Sequence, residues 1–206
     1  MIEQLAEIAG RPVSRETFRL LEHYAELLRR EAGQQNLVSA SSVAKLWERH
    51  LLDSAQLVRF EPGPGAAWVD VGAGAGLPGF VIAALVEGPV TLVEPRKLRA
   101  NFLERAAAEL GLAGRVTVVS AKAERLSARF DVITARAVAS LDRLLALAHH
   151  LSTDKTVWVL PKGRNARSEL DEARLRWHCE ARTEPSRTDP ESEILLLARV
   201  TAKGKR

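Results

Sequence analysis

The chain has 206 residues, enough for one domain with a full core, and its single cysteine, Cys179, excludes a disulfide framework or a cysteine zinc cluster. Hydrophobic residues make up 46% and charged residues 27%, an ordinary balance for a globular protein, and no apolar run approaches the about 18 residues of a membrane span. A net charge of +4 suits an anionic partner without identifying one. The opening MIEQLAEIAGRPV lacks the basic and apolar regions of a signal peptide, so a cytoplasmic protein is expected.

Residues 14–30 carry Phe18, Leu21, Ala25 and Leu28 at helical spacing, with Ser14 placed to cap the start and Gly33 to end the helix. A second helix is expected over 42–58, with Val43, Trp47, Leu51, Ala55 and Val58 on one side. EPGPG at 61–65 then breaks the chain, which divides it into an N-terminal helical extension, 1–60, and a core, 61–206. Beyond the break the pattern alternates. Strands are expected at WVDVG, VTLVE, RVTVVS, FDVITAR and TVWVLPKG. Between them lie helices at LPGFVIAALVEG, RKLRANFLERAAAELG and ASLDRLLALAHHL, and a short AKAERL segment. A helix at RNARSELDEARLR, a candidate strand at WHCEART, a loop at RTEPSRTDPE and a late strand at ESEILLLARV follow. Apolar strands alternating with helices make an α/β protein with a mostly parallel sheet covered on both faces, and the late strand is a candidate for antiparallel pairing.

Ligands of such sheets sit at the carboxyl ends of the strands, which points to WVDVGAGAGLPGF, residues 68–80. The loop offers no lysine for a triphosphate. Gly74, Gly76 and Gly79 match the dinucleotide pattern, and Glu94 lies where the ribose-binding acid should. Asp70, however, would stand close to a pyrophosphate and repel it. S-adenosylmethionine carries a sulfonium and no phosphate, so an acid near it is favourable. The methyl donor accounts for both Asp70 and Glu94, the dinucleotide for one of them. The plain alternatives are a helix-capping role for Asp70 and tight packing at the glycines, although four glycines in eight residues read as a ligand loop.

The motifs NLVS (36–39), HLLDS (50–54), DVGAGAGLPG (70–79), SAKAERL (120–126), ITARAVASL (133–141) and LPKG (160–163) come in the order seen in the bacterial small-subunit rRNA guanine-N7 methyltransferases, the RsmG or GidB family, which this chain resembles over roughly residues 30–200. The resemblance implies a Rossmann-like class I S-adenosylmethionine-dependent methyltransferase fold with a seven-stranded, mostly parallel sheet. It implies methyl transfer to N7 of one guanine in 16S rRNA, on the small ribosomal subunit or an assembly intermediate, by a cytoplasmic enzyme expected to be a monomer without a metal. Carried over position by position, it implies donor-binding roles for Gly72, Leu77, Ala123, Glu124 and Arg136, which join Asp70, Gly74 and Glu94 read from the turn itself.

Guanine N7 carries no proton, so no general base is expected and no catalytic residue is assigned; the task is positioning. Positioning candidates are Asn36, His50, Asp53, Arg136 and Lys162. His50 and Asp53 are one helical turn apart and can share a face. Their plain alternative is an Arg49–Asp53 ion pair and a helix cap. Cys179 reads as a packed apolar residue. Candidate RNA contacts are Arg29, Arg30, Lys45, Arg49, Arg96, Lys97, Arg99, Lys162, Arg164, Arg167, Lys203, Lys205 and Arg206. A small-molecule methyltransferase, a dinucleotide oxidoreductase and a non-enzymatic RNA-binding module are the rival classes.

Overall fold

The computed structural model describes residues 1–32 and 45–204. Asn36, Val43, Lys205 and Arg206 lie outside the described residues. The extension opens with α1 (Ile2–Ala9), closed by Gly10 at φ 66°. The second helix, α2 (Arg15–Ala32), starts where Ser14 Oγ accepts the backbone N–H of Thr17 at 3.1 Å. The next helical stretch, α3 (residues 47–60), is irregular. It runs as a π-helix at Trp47–Leu52, makes one α turn at Asp53–Ala55 and tightens to a 3-10 helix at Gln56–Phe60.

The core is a seven-stranded sheet in the order β3-β2-β1-β4-β5-β7-β6. Its strands are β1 (Trp68–Val71), β2 (Val90–Val93), β3 (Val116–Val119), β4 (Val132–Thr134), β5 (Val157–Lys162), β6 (Trp177–Pro185) and β7 (Glu193–Ala202). The first five are parallel; β7 pairs antiparallel with both β5 and β6, and WHCEART is the edge strand β6. The connecting helices are α4 (Gly79–Leu85), α5 (Lys97–Glu109), α6 (Leu141–Ala148) and α7 (Ala166–Ala173). AKAERL is a single 3-10 turn, Ala123–Arg125.

Alternate strand residues go to opposite faces, as the period of two requires. Trp68, Leu92, Val132 and Val159 pack with residues of α1 to α5 in one apolar cluster; Val69, Val93, Ile133 and Trp158 pack with those of α6 and α7 in another. Leu5, Leu21 and Tyr24 of the extension share the first cluster with Phe80, Ile82 and Leu92 of the core. The break at 61–65 therefore separates helices from sheet in the sequence, while the apolar core crosses it. Arg11 reinforces the join, donating to the carbonyls of Leu85 and Val58 and pairing with Glu61 at 2.9 Å.

Candidate functional site

The turn after β1 is built by two buried acids. Asp70 points to the face under α4, where its Oδ2 accepts the backbone N–H of Gly79 at 2.9 Å; Oδ1 is buried without a hydrogen-bond partner. Burial lifts this carboxyl from 3.8 to about 7, with the nearby Glu94 adding to the rise and the Gly79 N–H and Arg136 opposing it. Glu94, at the end of β2, accepts the N–H of Gly74 on Oε2 and that of Arg96 on Oε1, both at 2.9 Å. Its carboxylate is thus buried and fixed.

The four loop glycines divide by cause. A Cβ on Gly79 would lie 2.1 Å from Leu92 Cδ2, and one on Gly76 would lie 2.3 Å from the Phe80 ring, so both are packing glycines. Gly74, at φ 57°, faces open space apart from ordinary contacts, and Gly72, at φ 73°, lies against Val138. Only the first half of the loop is exposed to a ligand. Leu77 packs in the apolar core.

A cavity of about 480 Å³ crosses the carboxyl ends of the parallel strands in sheet order. Ala123 and Glu124 line it after β3, Glu94 to Arg96 after β2, Gly72 after β1, and Ala137 to Ala139 after β4. A second cavity, of about 330 Å³, continues across β4, β5 and β7; Arg136, Lys162, Asp53, Glu169, Ser192 and Glu193 are among its walls. The segment Ala137–Ala139 is common to both. Ala137 holds φ 55°, a left-handed conformation uncommon for alanine.

Arg136 lines the second cavity, next to the Ala137–Ala139 wall that it shares with the first. Its guanidinium turns to Asp53 Oδ2 at 3.4 Å. Asp53 pairs with Arg136 and not with Arg49, and its Oδ1 accepts from Gln56 Nε2 at 2.8 Å and from the Thr188 hydroxyl at 2.9 Å. Gln56 also accepts the N–H of Arg187. Asp53 is thereby the hub joining α3, the end of β4 and the β6–β7 loop. Both ring nitrogens of His50 are buried without a hydrogen bond among the described residues, and burial, aided by Arg136 and opposed by Asp53, holds the imidazole down at about 4. Lys162 pairs with Glu169 at 2.8 Å, and the same Glu169 oxygen accepts the N–H of Leu141 at the start of α6. Gln56, Ser186 and Thr188 were missed by sequence reasoning: the β6–β7 segment reads only as a loop, and nothing local ties it to a helix 130 positions away.

Solved structures with this fold include a ribosomal protein L11 methylase from Lactobacillus delbrueckii subsp. bulgaricus, with a TM-score of 0.58 at 14% identity over 76% of this chain and 79% of that one. A TehB-like SAM-dependent methyltransferase from Corynebacterium glutamicum aligns with a TM-score of 0.55 at 16% identity over 86% and 96%. The fold is that of the S-adenosylmethionine-dependent methyltransferases. Residues 17–189 match the family described as rRNA small subunit methyltransferase G, GidB, and the chain belongs to it. Curated relatives called Ribosomal RNA small subunit methyltransferase G are 47% identical in Rhizorhabdus wittichii, over 98% of this chain and 94% of the relative, and 43% identical in Zymomonas mobilis, over 93% and 90%.

Proposed function

We propose that this protein transfers a methyl group from S-adenosylmethionine to N7 of a guanine in 16S rRNA of the small ribosomal subunit, acting in the cytoplasm as a monomer. The observation that carries this reading is the first cavity, which runs across the ends of four parallel strands with a buried, fixed carboxylate at Glu94 and no lysine in the glycine turn. These residues fit the donor. Glu94 keeps lone pairs for ribose hydroxyls beyond those taken by two backbone N–H groups. Ala123 and Glu124 flank the adenine end, and Gly72 with Gly74 leaves room for the methionine end. Asp70 acts from below, through Gly79, by fixing the turn.

When bound, S-adenosylmethionine supplies an electrophilic methyl carbon, which bonds to the N7 lone pair as its bond to sulfur breaks, leaving S-adenosylhomocysteine and moving no proton. The protein's task is alignment and exclusion of water, which can supply roughly 7–11 kcal/mol of barrier reduction. The second cavity holds the base, with Asp53 and its partners aiming Arg136 at its wall. The purine ring gains positive charge on methylation, and the carboxylates of Asp53, Glu169 and Glu193 lie where they favour that charge.

The test is label transfer from methyl-labelled S-adenosylmethionine to small subunits from cells lacking the modification, with nucleoside identification. Label in 7-methylguanosine at one site supports the reading. Donor binding without RNA labelling would redirect it to a small-molecule acceptor.

A further inference from the structure

The two cavities carry opposite charge. Arg96, Arg99, Lys122 and Arg143 line the first against Glu94 and Glu124, whereas the second sets Arg136 and Lys162 against Asp53, Glu169 and Glu193. The acids of the second suit a base that gains positive charge, but the cations of the first are not what its ligand alone would select. The donor proposed above bears a sulfonium, an ammonium and one carboxylate, so an excess of cations around it is not explained by the donor. Arg96, Lys122 and Arg143 are exposed, and among the described residues none of them makes an ion pair. The cations near the second cavity are already matched: Lys162 with Glu169, Arg164 with Glu191 at 3.2 Å, and Arg167 with Glu193 at 3.6 Å. A phosphate there would have to displace a carboxylate.

We propose that Arg96, Lys122 and Arg143 are a track for the phosphodiester backbone of the RNA, laid across the mouth of the donor cavity. The strand order gives the track its direction. The three residues follow β2, β3 and β4, so a backbone lying on them runs along the sheet's carboxyl edge toward the Ala137–Ala139 wall. One nucleotide beyond that wall, a base splayed out of the strand enters the acid-lined cavity. Of the exposed cations named from the sequence, Arg96 stays on this track and Arg164 and Arg167 leave it; Lys122 and Arg143 join it. A backbone in this place covers the donor's entrance, so the donor seats before the RNA and its spent form leaves after it. The inference rests on the proposed function.

The combined variant Arg96→Gln, Lys122→Gln, Arg143→Gln tests it, with Arg164→Gln, Arg167→Gln as the control pair. In the triple variant, KM for small subunits is expected to rise roughly tenfold or more and the slope of log KM against log salt to fall by about 2. S-adenosylhomocysteine affinity by calorimetry falls by a smaller factor than KM rises, since the donor offers these exposed cations a single carboxylate. The control pair leaves KM within about twofold, because each of its arginines already has a carboxylate. Subunits are also expected to slow release of S-adenosylhomocysteine from the wild type and not from the triple variant. An unchanged KM, a KM effect confined to the control pair, or equal losses of subunit and S-adenosylhomocysteine binding would overturn the track. Failure of the unmodified protein to bind S-adenosylhomocysteine at all would instead overturn the donor reading.

Discussion

The phenol of Tyr24 donates to the carbonyl of Ala75 at 2.8 Å, fastening the extension to the glycine turn across 51 positions of chain. The same ring meets Phe80 edge-on, with centroids 5.2 Å apart, and Phe80 in turn fills the space that Gly76 leaves. The donor turn is therefore supported from beneath by a residue outside the sheet. Tyr24→Phe keeps the ring and strands a buried carbonyl, which costs about 1–3 kcal/mol. Urea unfolding should show that loss, and calorimetry a weaker S-adenosylhomocysteine complex. Unchanged values in both would remove Tyr24 from the support of the turn.

The glycines should separate by substitution. Gly79→Ala drives a methyl into Leu92 and toward Asp70, and is expected to prevent stable folding or to lower Tm sharply. Gly74→Ala has the space and carries only the left-handed φ, about 1 kcal/mol, so it folds and loses donor affinity. Thermal melts with and without S-adenosylhomocysteine distinguish the two: only the second variant should retain a Tm with a reduced ligand shift.

Asp70 and His50 set opposing pH slopes. The folded state holds Asp70 protonated up to about 7, so its contribution is present below 3.8 and is lost as pH rises to 7. The folded state holds His50 neutral down to about 4, so its contribution is present above 6.5 and is lost as pH falls toward 4. The two slopes offset each other across the shared window. Asp70→Asn should leave stability rising between pH 4 and 6.5, and His50→Gln should leave it falling. Parallel profiles for the two variants, from denaturant titrations across pH, would contradict this balance.

Asp53→Ala frees Arg136, Gln56 and Thr188 together while touching no wall of the first cavity. S-adenosylhomocysteine affinity should hold within about twofold, while kcat/KM for subunits falls by about tenfold to a hundredfold, the scale of a lost charge-assisted network. Equal loss of both would mean that the hub serves the donor site as well.

Val138 stands against Gly72 in the first cavity, where the proposed reading puts the donor's methionine end. Enlarging it with Val138→Trp should weaken S-adenosylhomocysteine and spare 5′-methylthioadenosine, which has the adenosine and no amino-acid tail. Matched losses would place the methionine end elsewhere.

Periodicity carried the sheet. Strands with buried residues on both faces, spaced by helices, leave few alternatives to a parallel arrangement, and β1 to β5 lie where the apolar runs stand. The glycine turn after β1 was legible for the same reason, since Asp70, Gly72, Gly74 and Glu94 are close in sequence or one β-α unit apart. What was not legible depends on distant partners. Gly76 and Gly79 resemble ligand glycines until Phe80 and Leu92 are seen against them. The Arg136–Asp53 pair is invisible in the sequence, since only the fold brings Asp53 to Arg136 from 83 positions away. Helix α3 keeps its apolar side but changes winding twice, which a single period cannot describe. The rim cations Arg96, Lys122 and Arg143 come from three separate loops, so no stretch of sequence displays them as a group.

The sheet also has a seam. Because β7 is inserted between β5 and β6, β5 has no outer neighbour until Glu193–Ala202 is in place. During synthesis every other strand leaves the ribosome before it. Until then Trp158 and Leu160 sit on a strand with one bare edge, the kind of edge that recruits other chains. Closing that edge brings Ser192 to Ile194 to the second cavity. The step that covers this edge is thus the step that completes the second cavity.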